Sequence, residues 1–182
     1  MTHTATKHDQ QSTSPETEAL AKFRGLIHEF DTAMMVSTGY NGHAHARPMH
    51  IVGRHREIPD DLWFVANFES DKVEELRREP RVAITMSDSK RFVSVSGWAR
   101  IIVDSAKIEH MWEDTWKMWF PDGPLSPDIC LIQVRPLDAE YWDQSFPQGV
   151  RVTLETVKAW ITDEPVDLPE GPDYHARVRL LA

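Results

Sequence analysis

The chain is poor in the features that most readily announce a protein's chemistry. It has one cysteine in 182 residues, Cys130. That excludes an internal disulfide and fits a reducing compartment. Cys130 lies in the apolar run Ile129-Cys130-Leu131-Ile132 and reads as a buried, inert thiol. No apolar run approaches the ~20 residues of a membrane-spanning helix. Basic residues are scarce: 20 Lys and Arg against 29 Asp and Glu give a formal net charge of -9. A general nucleic-acid binder needs a basic face, so none is expected as a partner. One phosphate group is not excluded. Charges further apart than about 8–10 Å are screened at physiological salt, so a local Arg/Lys cluster decides that question.

Sequence motifs for common chemistries are also missing. There is no P-loop and no Gly-x-Gly-x-x-Gly, which removes support for ATP and Rossmann readings. There is no Gly-x-Ser-x-Gly, and no Ser/His/Asp or Cys/His set can be assembled. No acid–base pair stands out. Chemistry, if any, must come from a cofactor. The polar stretch Met1 to Ser14 lacks the apolar region of a signal peptide and the arginines of a transit peptide. It is expected to be disordered, and the protein cytoplasmic.

What is present is a succession of short elements. Ser14-Pro15-Glu16 is a helix start, and Leu20, Phe23, Ile27 and Phe30 follow on one face. The helix is expected to stop near Phe30. Strands are expected from Ala33 to Ser37, His45 to Gly53 and Leu62 to Ala66, with Asn41-Gly42 as the hairpin signal between the first two. A short helix from Ser70 to Arg78 precedes strands at Val82–Met86 and Phe92–Val103. A helix capped at Asp104 or Ser105 is expected to run to about Trp119. Two more strands follow, Ile129–Arg135 and Ala139–Trp142. A last amphipathic helix is expected at Thr153–Ile161, and an irregular tail after Pro165.

This order lacks the strict strand–helix alternation of a parallel sheet. It predicts an α+β chain, mainly β: an antiparallel, partly closed barrel with short flanking helices. With 182 residues one domain is expected. It spans residues 15–145, between the polar stretch 1–14 and a C-terminal extension, 146–182.

Two segments about twenty residues apart form a candidate site. His45-Ala46-Arg47-Pro48-Met49 reads as a strand projecting an arginine. Leu62 to Val73 reads as a strand turning into a helix that opens with Ser70 and Lys72. A helix N-terminus offers unpaired N–H groups and partial positive charge. Ser70 would add a hydroxyl, and Lys72 and Arg47 formal charge, so the three could converge on one phosphate. Taken singly, each has a blander reading: Arg47 as a surface ion pair, Ser70 as an N-cap, Lys72 as a surface lysine.

Other patterns are weaker. His43 and His45 share a strand face and could chelate a metal, but no further ligand completes a set and no metal site is expected. Trp112, Trp116 and Trp119 form a stripe at helical spacing, which suits core or a subunit seam more than a cofactor wall. Ser94, Ser96 and Gly97 give a strand on which a planar ligand could lie close to backbone; the bland reading is a solvent face.

Several of these runs resemble the general stress protein 26 branch of the pyridoxamine 5′-phosphate oxidase-like superfamily. The resemblance is carried by Glu29 to Thr38, Gly42, His45 to Met49, Leu62-Trp63-Phe64, Ser70-Asp71-Lys72-Val73, Val93 to Gly97, Trp119-Phe120-Pro121 and Ala139 to Asp143, in order. It implies an FMN-binding split β-barrel, and a homodimer with two FMN sites at the subunit interface. Arg47 and Lys72 match positions that bind the FMN phosphate, and Ser70 a hydroxyl contact there. Pro48, Met49 and His50 match the strand beside the ring. Val65 and Ala66 match flavin contacts, although relatives usually have Thr where Ala66 stands. The lost hydrogen bond is worth about 0.5–1.5 kcal/mol.

The resemblance implies an FMN-dependent oxidoreductase linked to stress response, with a small-molecule electron donor or acceptor. True pyridoxamine phosphate oxidases carry an Arg-Leu-His-Asp-Arg type segment near the C-terminus. Here the end reads Tyr174-His175-Ala176-Arg177-Val178-Arg179-Leu180, so oxidation of pyridoxamine phosphate is not expected. The alternatives are a non-catalytic flavin store or sensor, and a split barrel that binds haem or the deazaflavin F420.

Overall fold

A computed structural model describes residues 14–53, 60–145 and 171–180. Helix α1, Pro15–Ile27, begins as its sequence dictates. Ser14 is the N-cap, with its Oγ accepting from the Thr17 N–H at 3.3 Å. Glu16 and Glu18 complement the positive end of the helix. The helix buries Ala19, Phe23, Leu26 and Ile27. It ends at Ile27, short of the expected Phe30. The N–H groups of His28 and Glu29 turn back tightly to the carbonyls of Gly25 and Leu26. Phe30 then enters the core from the connecting segment.

Strands β1, Thr32–Thr38, and β2, Ala44–Val52, form a hairpin. Gly42 takes φ +80° in its loop, the backbone that the Asn41-Gly42 pair predicts. Next come β3, Leu62–Asn67, and α2, Asp71–Arg78. Strands β4, Arg81–Ser87, and β5, Arg91–Ile102, form a second hairpin. Helix α3, Ser105–Met111, is followed by a 3-10 turn, Asp114–Met118, then by β6, Ile129–Asp143, and β7, His175–Arg179.

The sheet runs β3-β2-β1-β4-β5-β6-β7, and β3 also pairs with β6. Every pairing is antiparallel. The first six strands therefore close into a barrel, as the α+β split-barrel expectation requires, and β7 pairs with the second half of β6 on the edge that β3 takes in the first half. The main core fills the barrel beneath α1 and α2, with Phe23, Met35, Phe64, Leu76, Ile84, Val95 and Tyr141 among its buried side chains. A second cluster lies beneath α3 and the 3-10 turn: Val52, Trp63, Ile108, Met111, Trp116, Phe120, Ile129 and Leu131.

The barrel is incomplete at one seam. β3 pairs with β6 from Leu62 to Asn67, but with β2 only at Phe64↔Ile51 and Trp63↔Val52. Hydrogen-bond parity along β2 shows which backbone groups face the break. The Gly39 N–H bonds the His43 carbonyl and the Ile51 N–H bonds the Asp31 carbonyl. Odd-numbered residues of β2 therefore turn their N–H groups toward β1, and even-numbered ones toward β3. Pro48 is one of the even positions, and it has no N–H to give. The ladder has already stopped at His50, where β2 and β3 part, and Pro48 cannot resume it.

β6 differs from expectation. It is one strand rather than two, and its register against β5 shifts between Ser96 and Gly97. Leu137 is the extra residue of a bulge, which accommodates Pro136 and reverses the inward parity. Cys130, Ile132 and Val134 face the barrel before it, Ala139 and Tyr141 after it. The tail expected to be irregular also contains β7. Its alternation buries Val178 and exposes Arg177 and Arg179. The expected disorder before Ser14 and the expected helix at Thr153–Ile161 lie outside the described residues. No described helix is long and apolar enough to cross a membrane.

Gly97 is required at the bulge. A Cβ there would lie 2.4 Å from the Arg135 carbonyl oxygen. Gly97→Ala is therefore expected to destabilise the fold by about 1–3 kcal/mol, seen as a lowered urea midpoint with an unchanged slope.

Candidate functional site

The parting of β2 and β3 leaves a cleft of about 560 Å³, within the range of roughly 300–1,000 Å³ usual for small-molecule sites. Pro48, Met49 and His50 of β2 line one wall and Val65, Ala66 and Asn67 of β3 another. Lys72 enters from the first turn of α2. Met118, Trp119 and Phe120 close the remaining side. The sequence-predicted residues Pro48, Met49, His50, Val65, Ala66 and Lys72 thus meet around one cavity.

Arg47 and Ser70 are not among its lining residues. Ser70 is the N-cap of α2, but its Oγ donates to the Asn67 carbonyl at 2.6 Å rather than capping the helix. Arg47 Nη2 donates to Glu75 Oε2 at 2.7 Å, and Nη1 donates to the Ser37 hydroxyl. The Arg47 guanidinium remains close enough to matter electrostatically. Burial, and then the Arg47 charge, push the Lys72 ammonium below its ordinary lysine value. No ion pair to Lys72 exists among the described residues. Two cations lie near each other, one of them half-buried and, among the described residues, in no direct ion pair. Such a pair favours an arriving anion.

Glu75 was not anticipated from the sequence. It is 4 % exposed and accepts three bonds: from Ser37 Oγ at 2.5 Å, from His45 Nδ1 at 2.6 Å and from Arg47. Burial alone would raise its carboxyl pKa; the Ser37, His45 and Arg47 bonds outweigh that and hold it below the ordinary value. The His-x-His pair does not converge: His45 turns to Glu75 while His43 is exposed. No group of three or more His, Cys, Asp or Glu among the described residues is placed to hold a metal ion.

The tryptophan stripe also divides. α3 ends at Met111, and Trp112 takes an extended backbone, φ -57° and ψ 136°. The expected single helix to Trp119 is therefore broken. Trp116 is fully buried in the second core, with Trp112 edge-on to it at 5.4 Å between centroids. Trp119 is 52 % exposed and borders the cleft. The segment Trp119-Phe120-Pro121 was the available sequence signal for that wall. Ser96 and Gly97 line a separate groove on the outer face of the barrel. Cys130 lies beneath Ala66, its Sγ donating to the Ala66 carbonyl at 3.5 Å. Burial pushes its thiol up to about 11, which keeps it neutral.

Residues 18–167 match the family described as pyridoxamine 5′-phosphate oxidase like. The chain belongs to that family. Solved structures of similar fold include a candidate general stress protein 26 from Jannaschia sp. CCS1. It is 22% identical with a TM-score of 0.64, covering 88% of this chain and 98% of that one. General stress protein 26 from Bacillus anthracis is 21% identical with a TM-score of 0.59, over 66% of this chain and 91% of that one. A curated relative, protein bli-3 of Neurospora crassa, is 31% identical over 91 residues, which span 44% of each chain. The likeness to the two solved structures agrees with the split-barrel fold.

The Glu75 cluster makes the fold acid-sensitive in a definite sense. A carboxylate whose folded pKa is depressed adds stability that is complete above its unfolded value, near 4.5, and is lost as pH falls through the folded value. Asp143, buried and paired with Lys22, acts in the same direction. Glu75→Gln should shrink the stability difference between about pH 7 and pH 3 without abolishing it. Urea titrations at the two pH values measure this, and an identical difference in parent and variant would refute it.

Proposed function

We propose that the cleft between β2 and β3 binds FMN and that the protein is an FMN-dependent oxidoreductase. The observation that carries this reading is the composition of the cleft. A half-buried Lys72 that makes no direct ion pair among the described residues, with Arg47 close by, meets a slot that is otherwise lined mainly by apolar side chains. A phosphate suits the cations, and a flat ring suits the slot. The family is a flavin-binding one, which supports the choice. FMN, when bound, supplies redox chemistry that no side chain of this cleft can supply.

The chain's own residues then have defined tasks. Lys72 and Arg47 bind the phosphate, with the first N–H groups of α2 and the Ser70 hydroxyl beside them. Pro48, Met49, His50, Val65 and Ala66 hold the ring and exclude water. Even-numbered parity turns the His50 backbone N–H and carbonyl toward the slot, where they can bond a ring edge. The electron donor is a reduced nicotinamide or another small organic molecule, and pyridoxamine phosphate is not the substrate.

A homodimer completes the reading. The outer face of the barrel carries the cross-strand row Ala46, Val36, Ala83 and, next to it, Pro48 and Met34. Trp98 and Met34 are exposed there. This apolar face adjoins Pro48 and hence the cleft, so a second copy seated on it would border the flavin. A role as a flavin store or sensor is favoured by one observation: among the described residues, His50 and Lys72 are the only titratable side chains lining the cleft.

Purified protein is expected to be yellow and to release FMN on heating. Arg47→Ala and Lys72→Ala should each weaken FMN binding roughly ten- to a hundredfold, since each removes a charge-assisted bond. Fluorescence titration of the apoprotein measures this, and parental affinity in the double variant overturns the phosphate assignment. Sustained aerobic oxidation of NADH or NADPH by the holoprotein separates an enzyme from a store.

A further inference from the structure

We infer that Glu75, braced by Ser37 and His45, is the positioning residue that holds Arg47 for an anionic ligand group at this cleft. The inference rests on the flavin reading and adds a residue that neither the sequence nor the family likeness singles out. Glu75 lies on α2 three residues after Lys72, and it reaches across to the β1–β2 hairpin. It is almost fully buried, and all three of its partners come from that hairpin: Ser37 from β1, His45 and Arg47 from β2.

The hairpin is shaped to make this contact. A Cβ on Gly39 would lie 2.5 Å from the His45 ring, so only glycine leaves room for the imidazole on its way to Glu75. A parallel set of contacts fixes the same two elements. The Tyr40 hydroxyl donates to Glu74, Arg78 lies over the Tyr40 ring at 4.2 Å, and Arg78 Nη2 donates to the Thr38 carbonyl at 3.1 Å.

A carboxylate beside a phosphate-binding arginine could compete with the phosphate or position the arginine. The geometry points to positioning. A guanidinium has five N–H donors in a rigid fork. Arg47 uses one on Ser37 and one on Glu75, which leaves three for a ligand. The Glu75 charge also works against the repulsion between Arg47 and Lys72, and it favours the charged form of Lys72. It therefore permits two cations to stay charged and close while no ligand is bound. With Arg47 already fixed, a ligand phosphate does not have to order a long side chain.

The test compares FMN with riboflavin, which has the same ring but no phosphate. In the parent apoprotein FMN is expected to bind the tighter by at least tenfold. Equal affinities would overturn the phosphate assignment itself, and this inference with it. Glu75→Gln is expected to cut the FMN-to-riboflavin preference about tenfold while riboflavin affinity stays within about twofold. In an Arg47→Ala background the same substitution should change the preference no further. A preference unchanged or increased by Glu75→Gln in a parent that does discriminate would overturn the positioning role and leave the flavin reading intact. Where Glu75→Gln fails to fold, Ser37→Ala carries the test, because it removes the hydroxyl that bridges Arg47 and Glu75. About a threefold fall in preference is expected, and no fall overturns the inference.

Discussion

A strand has two edges, and β3 commits them unequally. It gives one edge to β6 along its whole length and the other to β2 at only Phe64 and Trp63. The first commitment closes the barrel and creates a core. The second, abandoned early, opens a slot in the wall of that core. α2 begins just beyond the end of β3, so the first helical turn and Lys72 are delivered to the mouth of the slot. Moving β3 by one residue would reverse its faces and lose both core and cleft. The position of nearly every candidate ligand contact follows from this division of hydrogen bonds.

Charge is the second constraint. Two cations near one another in a chain of net charge -9 are a local exception that must be held in place. Removing one partner from a buried charge cluster costs about 3–5 kcal/mol in other proteins. The cluster of Glu75, Ser37, His45 and Arg47 therefore also joins α2 to the first hairpin. Structural and ligand-binding duties overlap in the same side chains. Lys22 and Asp143 make a comparable link between α1 and the end of β6, away from the cleft.

The elements legible in the sequence were those with local causes. Ser14-Pro15 starts α1, Asn41-Gly42 turns the first hairpin, and short apolar, branched or aromatic runs between turn signals mark the strands. The cleft walls at Pro48–His50 and Val65–Ala66 were legible through family resemblance, because their spacing is set within two neighbouring strands. The partner of Arg47 was not. Glu75 lies 28 residues away, and nothing local marks it as buried. Trp112, Trp116 and Trp119 keep helical spacing across a chain that leaves the helix at Trp112, so periodicity alone could not reveal the break. Two strands are expected at Ile129–Arg135 and Ala139–Trp142, whereas the bulge opposite Gly97 carries β6 through Pro136 as one strand. β7 depended on an open edge of β6 supplied from far along the chain.

Pro48 has a consequence beyond shaping the slot. A seam of unpaired backbone on a barrel is an invitation to recruit a strand from another molecule, the first step toward aggregated sheets. At Pro48 the exposed edge of β2 has no donor to offer, and an incoming strand would meet an interrupted ladder. A proline that lines the slot for a small ligand thus also guards that opening against other polypeptides, including this chain's own unfolded copies.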